Sequence, residues 1–300
     1  MAENTHTRPD WVDDDLFPFE SRFVEVDGNT VHYVDEGVGP ILLMLHGNPT
    51  WSFLFRDAIR ELSSEFRCIA IDYPGFGLST PAPGYRYLPE EHAAVVDGFV
   101  DALELEHITM VGQDWGGPIG IAVAQRRPGV IERLVLINTW AWPVNGSLHF
   151  EAFARIVGGL PMRFLVRQFN LLVTAFIPTG HRRRTATAAE MDHYRRALAT
   201  PERRQASAVL PGRILGSRDF FAGIEAGLPG IANLPTLIVW GDADIAFRAQ
   251  ERERLEATFP DHETVVVEGA GVYVESDAPD EFVAAIRNWA AMPDPSQRGR

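Results

Sequence analysis

The sequence predicts an α/β fold, a mostly parallel central sheet with a helical segment inserted above its strand ends. Three observations carry this. Short apolar runs alternate with longer stretches of helical periodicity, as in chains that lay down a parallel sheet. Polar and Gly-rich loops follow the apolar runs. Between about residues 139 and 217 the strand pattern stops and apolar residues recur at helical spacing.

The elements read in order as follows. Residues 22–26 and 30–35 form two strands around the turn Asp27-Gly28-Asn29. The runs 41–45, 67–71, 108–111, 134–137, 236–240 and 264–268 are largely apolar, as expected of strands covered on both faces. They end at His46-Gly47-Asn48-Pro49, at Asp72-Tyr73-Pro74-Gly75-Phe76-Gly77, at Gly112-Gln113-Asp114-Trp115-Gly116-Gly117, at Asn138, at Gly241-Asp242-Ala243-Asp244 and at Gly269-Ala270-Gly271. Open α/β sheets bind ligands at the carboxyl ends of their strands, so these loops are where a site is expected. A last helix is expected over 280–291, with Phe282, Val283, Ile286 and Trp289 facing the core. The expected organisation is a core of residues 17–138 and 218–292, a helical cap of 139–217, and tails at 1–16 and 293–300.

Composition narrows the function. The formal net charge is −14, which opposes nucleic acid and anionic membrane surfaces as partners. All 27 basic residues other than His are arginine, and Arg182, Arg183 and Arg184 form a basic cluster in the cap. Cys68 is the only cysteine and forms no intramolecular disulfide. The N-terminus carries Asp13, Asp14 and Asp15 rather than a basic region and an apolar stretch, so no signal peptide is read. No apolar run approaches the ~18 residues of a membrane span. A soluble, cytoplasmic protein of undetermined oligomeric state is expected. Neither metal-ligand spacing nor a phosphate-binding Gly loop occurs, so no cofactor is expected.

Gly112-Gln113-Asp114-Trp115-Gly116 has the form Gly-x-nucleophile-x-Gly between a strand and a helix pattern. Such an elbow needs glycine on each side because the backbone is crowded there, and it lifts the central side chain clear of the sheet. The following helix points its positive end at that side chain. Asp114 is expected to be ionised at neutral pH, and a carboxylate suits displacement at a saturated carbon bearing a good leaving group. An alkyl-enzyme ester results.

Together with His46-Gly47-Asn48-Pro49-Thr50-Trp51-Ser52-Phe53-Leu54-Phe55-Arg56, Asp72-Tyr73-Pro74-Gly75-Phe76-Gly77 and Ser276-Asp277-Ala278-Pro279-Asp280, the elbow resembles the corresponding segments of haloalkane dehalogenases. The resemblance covers roughly residues 17–291 and is weakest in the cap. It implies an α/β-hydrolase fold and hydrolytic cleavage of carbon–halogen bonds, giving alcohol and halide. A small apolar halogenated substrate and a halide ion are the implied partners. Asn48 and Trp115 are implied as the halide clamp, their side chains supplying N–H donors to a buried anion. Their backbone N–H groups are implied as the oxyanion hole.

The orienting acid is expected at Asp244. Asn138 occupies the other strand end where the family places an acid, and it cannot serve as one. Asp242 is read as capping its turn. The family's catalytic histidine stands two residues beyond the Gly-Ala pair, and here that position is Val272. Valine accepts no proton. Displacement by Asp114 needs no base, but hydrolysis of the ester does, and losing a general base costs about 10²–10⁴-fold on its step. The expectation is alkylation without turnover, with Asp244 deprived of its partner and protonated.

Other histidines do not obviously replace the base. His46 is expected to be structural. His149, His181 and His193 fall in the cap. His32, His92, His107 and His262 lie off the strand-end face. An epoxide hydrolase, the weaker enzyme alternative, needs two cap tyrosines, and this cap has Tyr194 alone. A ligand-binding protein that keeps the pocket without turnover is the non-enzyme alternative. The cap aromatics Trp140, Trp142, Phe150, Phe153, Phe164, Phe169 and Phe176 suit an apolar pocket, with most expected to pack the cap on the core.

Overall fold

A computed structural model describes residues 7–292. The strands are β1 Arg22–Val26, β2 Asn29–Glu36, β3 Ile41–Leu45, β4 Arg67–Ile71, β5 Ile108–Gln113, β6 Ile131–Ile137, β7 Thr236–Gly241 and β8 His262–Val267. They form an eight-stranded sheet in the order β1-β2-β4-β3-β5-β6-β7-β8. β2 runs antiparallel to both neighbours, and every other pair is parallel.

The alternation of side chains along a strand explains why these runs are apolar at nearly every position. On β3, Leu43 and Leu45 join one buried cluster, while Leu42 and Met44 join the cluster on the opposite face. Helices α1 Arg56–Leu62, α2 Pro89–Ala102 and α3 Gly116–Arg126 cover the first half of the sheet. Between β6 and β7 the chain has no strand and runs through α4 Leu148–Val157, α5 Leu160–Phe169, α6 Ile177–Gly180, α7 Ala188–Ala197, α8 Gln205–Gly216 and α9 Arg218–Gly227. Helices α10 Ala249–Thr258, α11 Val274–Asp277 and α12 Pro279–Ala290 follow β7 and β8. No single described helix is long and apolar enough to cross a membrane.

Two expectations need correction. β8 begins two residues before and ends one residue before the expected 264–268, spanning His262–Val267, because it pairs with the whole of β7 from Thr236↔His262 onward. An edge strand tolerates the polar His262 and Glu263, which the apolar pattern excludes. Residues 8–16, read as part of an N-terminal tail, pack against the fold. Arg8 donates to the carbonyls of Phe17 and Phe19, Val12 is buried, and Trp11 sets its edge against Trp51 and His193. Residues 1–6 and 293–300, also read as tails, lie outside the described residues.

Candidate active site

Asp114 sits between β5 and α3 with φ at +50°, the left-handed region an elbow requires. Two glycines explain why the motif tolerates nothing larger. A Cβ on Gly116 would lie 2.1 Å from the carbonyl oxygen of Leu45, and one on Gly47 would lie 2.6 Å from the Asp114 Oδ1. The elbow is tied down from β6: the Asp114 N–H donates to the Ile137 carbonyl at 3.2 Å, and Thr139 Oγ1 donates to the Asp114 carbonyl at 2.6 Å.

The Asn48 backbone N–H donates to Asp114 Oδ1 at 3.0 Å, and the Trp115 backbone N–H also bonds this carboxylate. The pair assigned above to an oxyanion hole therefore converges on the nucleophile. Burial nevertheless dominates and raises the Asp114 carboxyl from its ordinary 3.8 to about 7, the two N–H bonds opposing the rise.

Asp114 and Asn48 border two adjoining cavities beneath the cap helices. The smaller, about 60 Å³, is walled by Trp115, Trp140, Phe150, Leu172, Pro211 and Ile214. Trp115 is buried with its ring edge-on to Trp140 at 5.0 Å. Asn48 Nδ2 donates to the Ser207 carbonyl at 3.3 Å, which fixes the amide and leaves its second N–H uncommitted. The larger cavity, about 260 Å³, is lined by Gln113, Asp244, Val272, Tyr273, Arg182 and Ile245, among others.

The structure thus brings all five expected site residues, Asn48, Asp114, Trp115, Asp244 and Val272, to two cavities that share Asn48 and Asp114 in their walls. Asp244 is not left without partners. Its Oδ2 accepts from Asn138 Nδ2 at 2.9 Å and its Oδ1 from the Ala246 N–H at 2.7 Å, with the Phe247 N–H contributing. Burial still raises its carboxyl to about 6. Asn138 is itself clamped: its Oδ1 accepts the Gly241 N–H and its Nδ2 also reaches the Gly241 carbonyl. So the strand end unable to supply an acid supplies the amide that holds one. Its signal in the sequence was an amide at an acid's position. Asp242 does not cap its own turn; it accepts the Gly269 N–H at 2.7 Å and ties the β7 loop to the β8 loop.

Val272 borders the cavity between Gly271 and Tyr273, and its carbonyl accepts from Gln113 Nε2 at 3.1 Å. His149, on α4, is the histidine that reaches this space, yet both its nitrogens are engaged. Nε2 donates to the Ala246 carbonyl at 3.0 Å and Nδ1 accepts from Arg248 at 2.7 Å. His46 bonds the Gly47 carbonyl and the Tyr73 N–H, and burial lowers it to about 4. His181 and His193 are buried in side-chain and backbone bonds of their own. Among the described residues, no histidine lining the cavity has an uncommitted ring nitrogen, and no group of side chains is arranged to hold a metal ion.

Of the cap aromatics, Trp140, Phe150, Phe153 and Phe176 line the cavities. Phe164 and Phe169 do not pack on the core; they are 60% and 66% exposed on α5. Helical spacing alone did not say which side of α5 meets the protein. Tyr273, unremarked in the sequence, also lines the larger cavity.

The strand order, the elbow after β5 and the helical cover over the strand ends define an α/β-hydrolase architecture. The family model for the α/β hydrolase fold matches residues 40–274. Haloalkane dehalogenase 2 of Mycobacterium tuberculosis is 44% identical over 276 residues, covering 91% of this chain and 96% of that protein. A cis-3-alkyl-4-alkyloxetan-2-one decarboxylase of Shewanella oneidensis is 31% identical over 289 residues, covering 92% and 90%. The solved haloalkane dehalogenase of Bradyrhizobium elkani superposes with a TM-score of 0.83 at 25% identity, covering 91% of this chain and 98% of that one. The chain belongs to the α/β-hydrolase fold family and, within it, to the haloalkane dehalogenase-like hydrolases.

Proposed function

We propose that this protein carries out the displacement half of haloalkane dehalogenation and is crippled in the hydrolytic half. The observation that carries the reading is Asp114, held on its elbow by two backbone N–H groups at the meeting point of two apolar cavities. An Asp114 oxygen attacks the halogen-bearing carbon from behind. A C–O bond forms as the carbon–halogen bond breaks, and the halide leaves with the electron pair toward the Trp115 indole and the free N–H of Asn48. The alkyl ester then needs water at its carbonyl carbon, and that water must lose a proton as it attacks. Val272, in the position of a base, takes none. Asp244, at the same cavity, is held in place by Asn138 and the Ala246 N–H, with a valine and not a base at position 272. The backbone N–H groups of Asn48 and Trp115, placed to stabilise the oxyanion of ester hydrolysis, therefore serve a step that stalls.

A second reading is favoured by the same missing base. Opening an oxetan-2-one to an alkene and carbon dioxide consumes no water and requires no group to activate one. The apolar cavity suits an alkyl-substituted ring. An epoxide hydrolase is disfavoured, because the single cap tyrosine, Tyr194, is buried away from both cavities.

The test is intact-mass measurement after incubation with 1-bromohexane. The proposal expects a stable gain of one hexyl group that maps to Asp114. No gain, together with conversion of a dialkyl oxetanone to alkene, supports the second reading; no gain and no conversion leaves a binding protein.

A further inference from the structure

The basic cluster in the cap has no place in the chemistry above, and its three members are not equivalent. Asp277, buried beneath the turn that follows α6, gathers the backbone: its oxygens accept the N–H groups of Arg182 at 2.9 Å, Arg183 at 3.0 Å, Arg184 at 3.1 Å and Gly271 at 2.8 Å. This carboxylate fixes where each arginine points. Arg183 pairs with Glu281 at 2.6 Å, and Arg184 pairs with Glu190 at 2.9 Å and bonds Ser276. The Arg182 side chain has no acidic partner among the described residues. It lies instead at the exposed edge of the larger cavity, the one that holds Asp114.

The Arg182 stem passes close to Gly271: a Cβ there would run into the Gly180 carbonyl and would lie 3.0 Å from Arg182 Cγ. Away from the polar groups around Asp114, the cavity is lined by Phe153, Phe176, Ile245, Phe247 and Val272, which gain nothing from a polar substrate. A lone cation at the solvent edge of an apolar channel is complementary to a chain that is apolar in its middle and anionic at its far end.

We propose that Arg182 is a specificity-determining residue that selects substrates carrying a carboxylate at the end opposite the reacting carbon, such as ω-haloalkanoates. The proposal rests on Asp114 as the reacting group, but it is tested by binding alone. Hexanoate and hexan-1-ol are titrated separately by tryptophan fluorescence into the wild-type protein and into Arg182→Met, which keeps the stem over Gly271 and removes the charge. Hexanoate binding should weaken about fivefold in the variant, the size of a solvent-edge charge pair. Hexan-1-ol should bind both proteins equally, and the difference for hexanoate should vanish near about 1 M salt. Arg183→Met, whose arginine is already paired, should leave both ligands unaffected. Equal hexanoate affinity in wild type and Arg182→Met overturns the proposal, as does an equal loss for both ligands, which would mark Arg182 as packing only. Failure of Asp114 to become alkylated, with the hexanoate difference intact, would instead overturn the displacement chemistry and leave this subsite standing.

Discussion

The two ends of the Asp114 cavity differ in completeness. At the Trp115 end, the two side chains proposed to receive the halide are both braced: the indole is packed against Trp140 and Phe221, and the Asn48 amide is held by Ser207. At the Val272 end, the proposed chemistry meets bracing around a side chain that offers no ring nitrogen. Asn138 and the Ala246 N–H still aim Asp244, and Gln113 still holds the Val272 carbonyl. On the proposed chemistry, displacement and hydrolysis depend on separate parts of the site, so one can be lost without dismantling the other.

The sharpest way to break the contrast is at the nucleophile both ends share. Asp114→Asn should abolish covalent modification by 1-bromohexane altogether, read by intact mass. Next in size, Val272→His should give sustained halide release, raising turnover by about 10²–10⁴-fold, the worth of a general base; steady-state bromide release measures it. At the other end, Trp115→Phe keeps the ring and removes the donor. It should slow alkylation by about 10²–10³-fold, as loss of an anion-stabilising donor does.

Acidity offers a subtler test. Only the ionised Asp114 attacks, and its carboxyl is raised to about 7. The alkylation rate should therefore climb about tenfold between roughly pH 6 and pH 8 and then level off. The same shift has a stability consequence. The unfolded chain releases this proton near 3.8 and the folded chain near 7, so the folded state loses stability as pH rises between those values. Asp114→Asn should raise the melting temperature at about pH 8 and not near pH 4. The smallest expected effect is at Asn138→Ala, which removes the amide from Asp244 and should cost about 1–3 kcal/mol in denaturant unfolding, with alkylation unchanged.

The residues legible in the sequence were those whose meaning lies within a short segment. The elbow around Asp114 reveals itself through its glycines, since a Cβ on Gly116 would collide with Leu45 and one on Gly47 with Asp114. Strands β3 and β4 follow from largely apolar runs, and β1 from its place before the Asp27-Gly28-Asn29 turn, all with the bounds read from the sequence. What was not legible depends on contacts distant along the chain. Asn138 and Asp244 are 106 residues apart, and nothing local marks the amide as the acid's holder. Residues 8–16, set apart as a tail by their acidic run, are held to the cap by a bond from the Asp13 N–H to His193 at 3.0 Å. The exposure of Phe164 and the position of Arg182 depend on how the cap helices sit, which periodicity does not determine.

Bromide release from excess 1-bromohexane, counted per protein molecule over time, reads the separation of the two half-reactions directly. The displacement reading predicts one bromide per protein in a burst followed by a flat line, with Asp114 left as its hexyl ester. Linear release through many equivalents would contradict it, since the ester would then be turning over without the base. So would no release at all, since the carboxylate on the elbow would then not be a nucleophile.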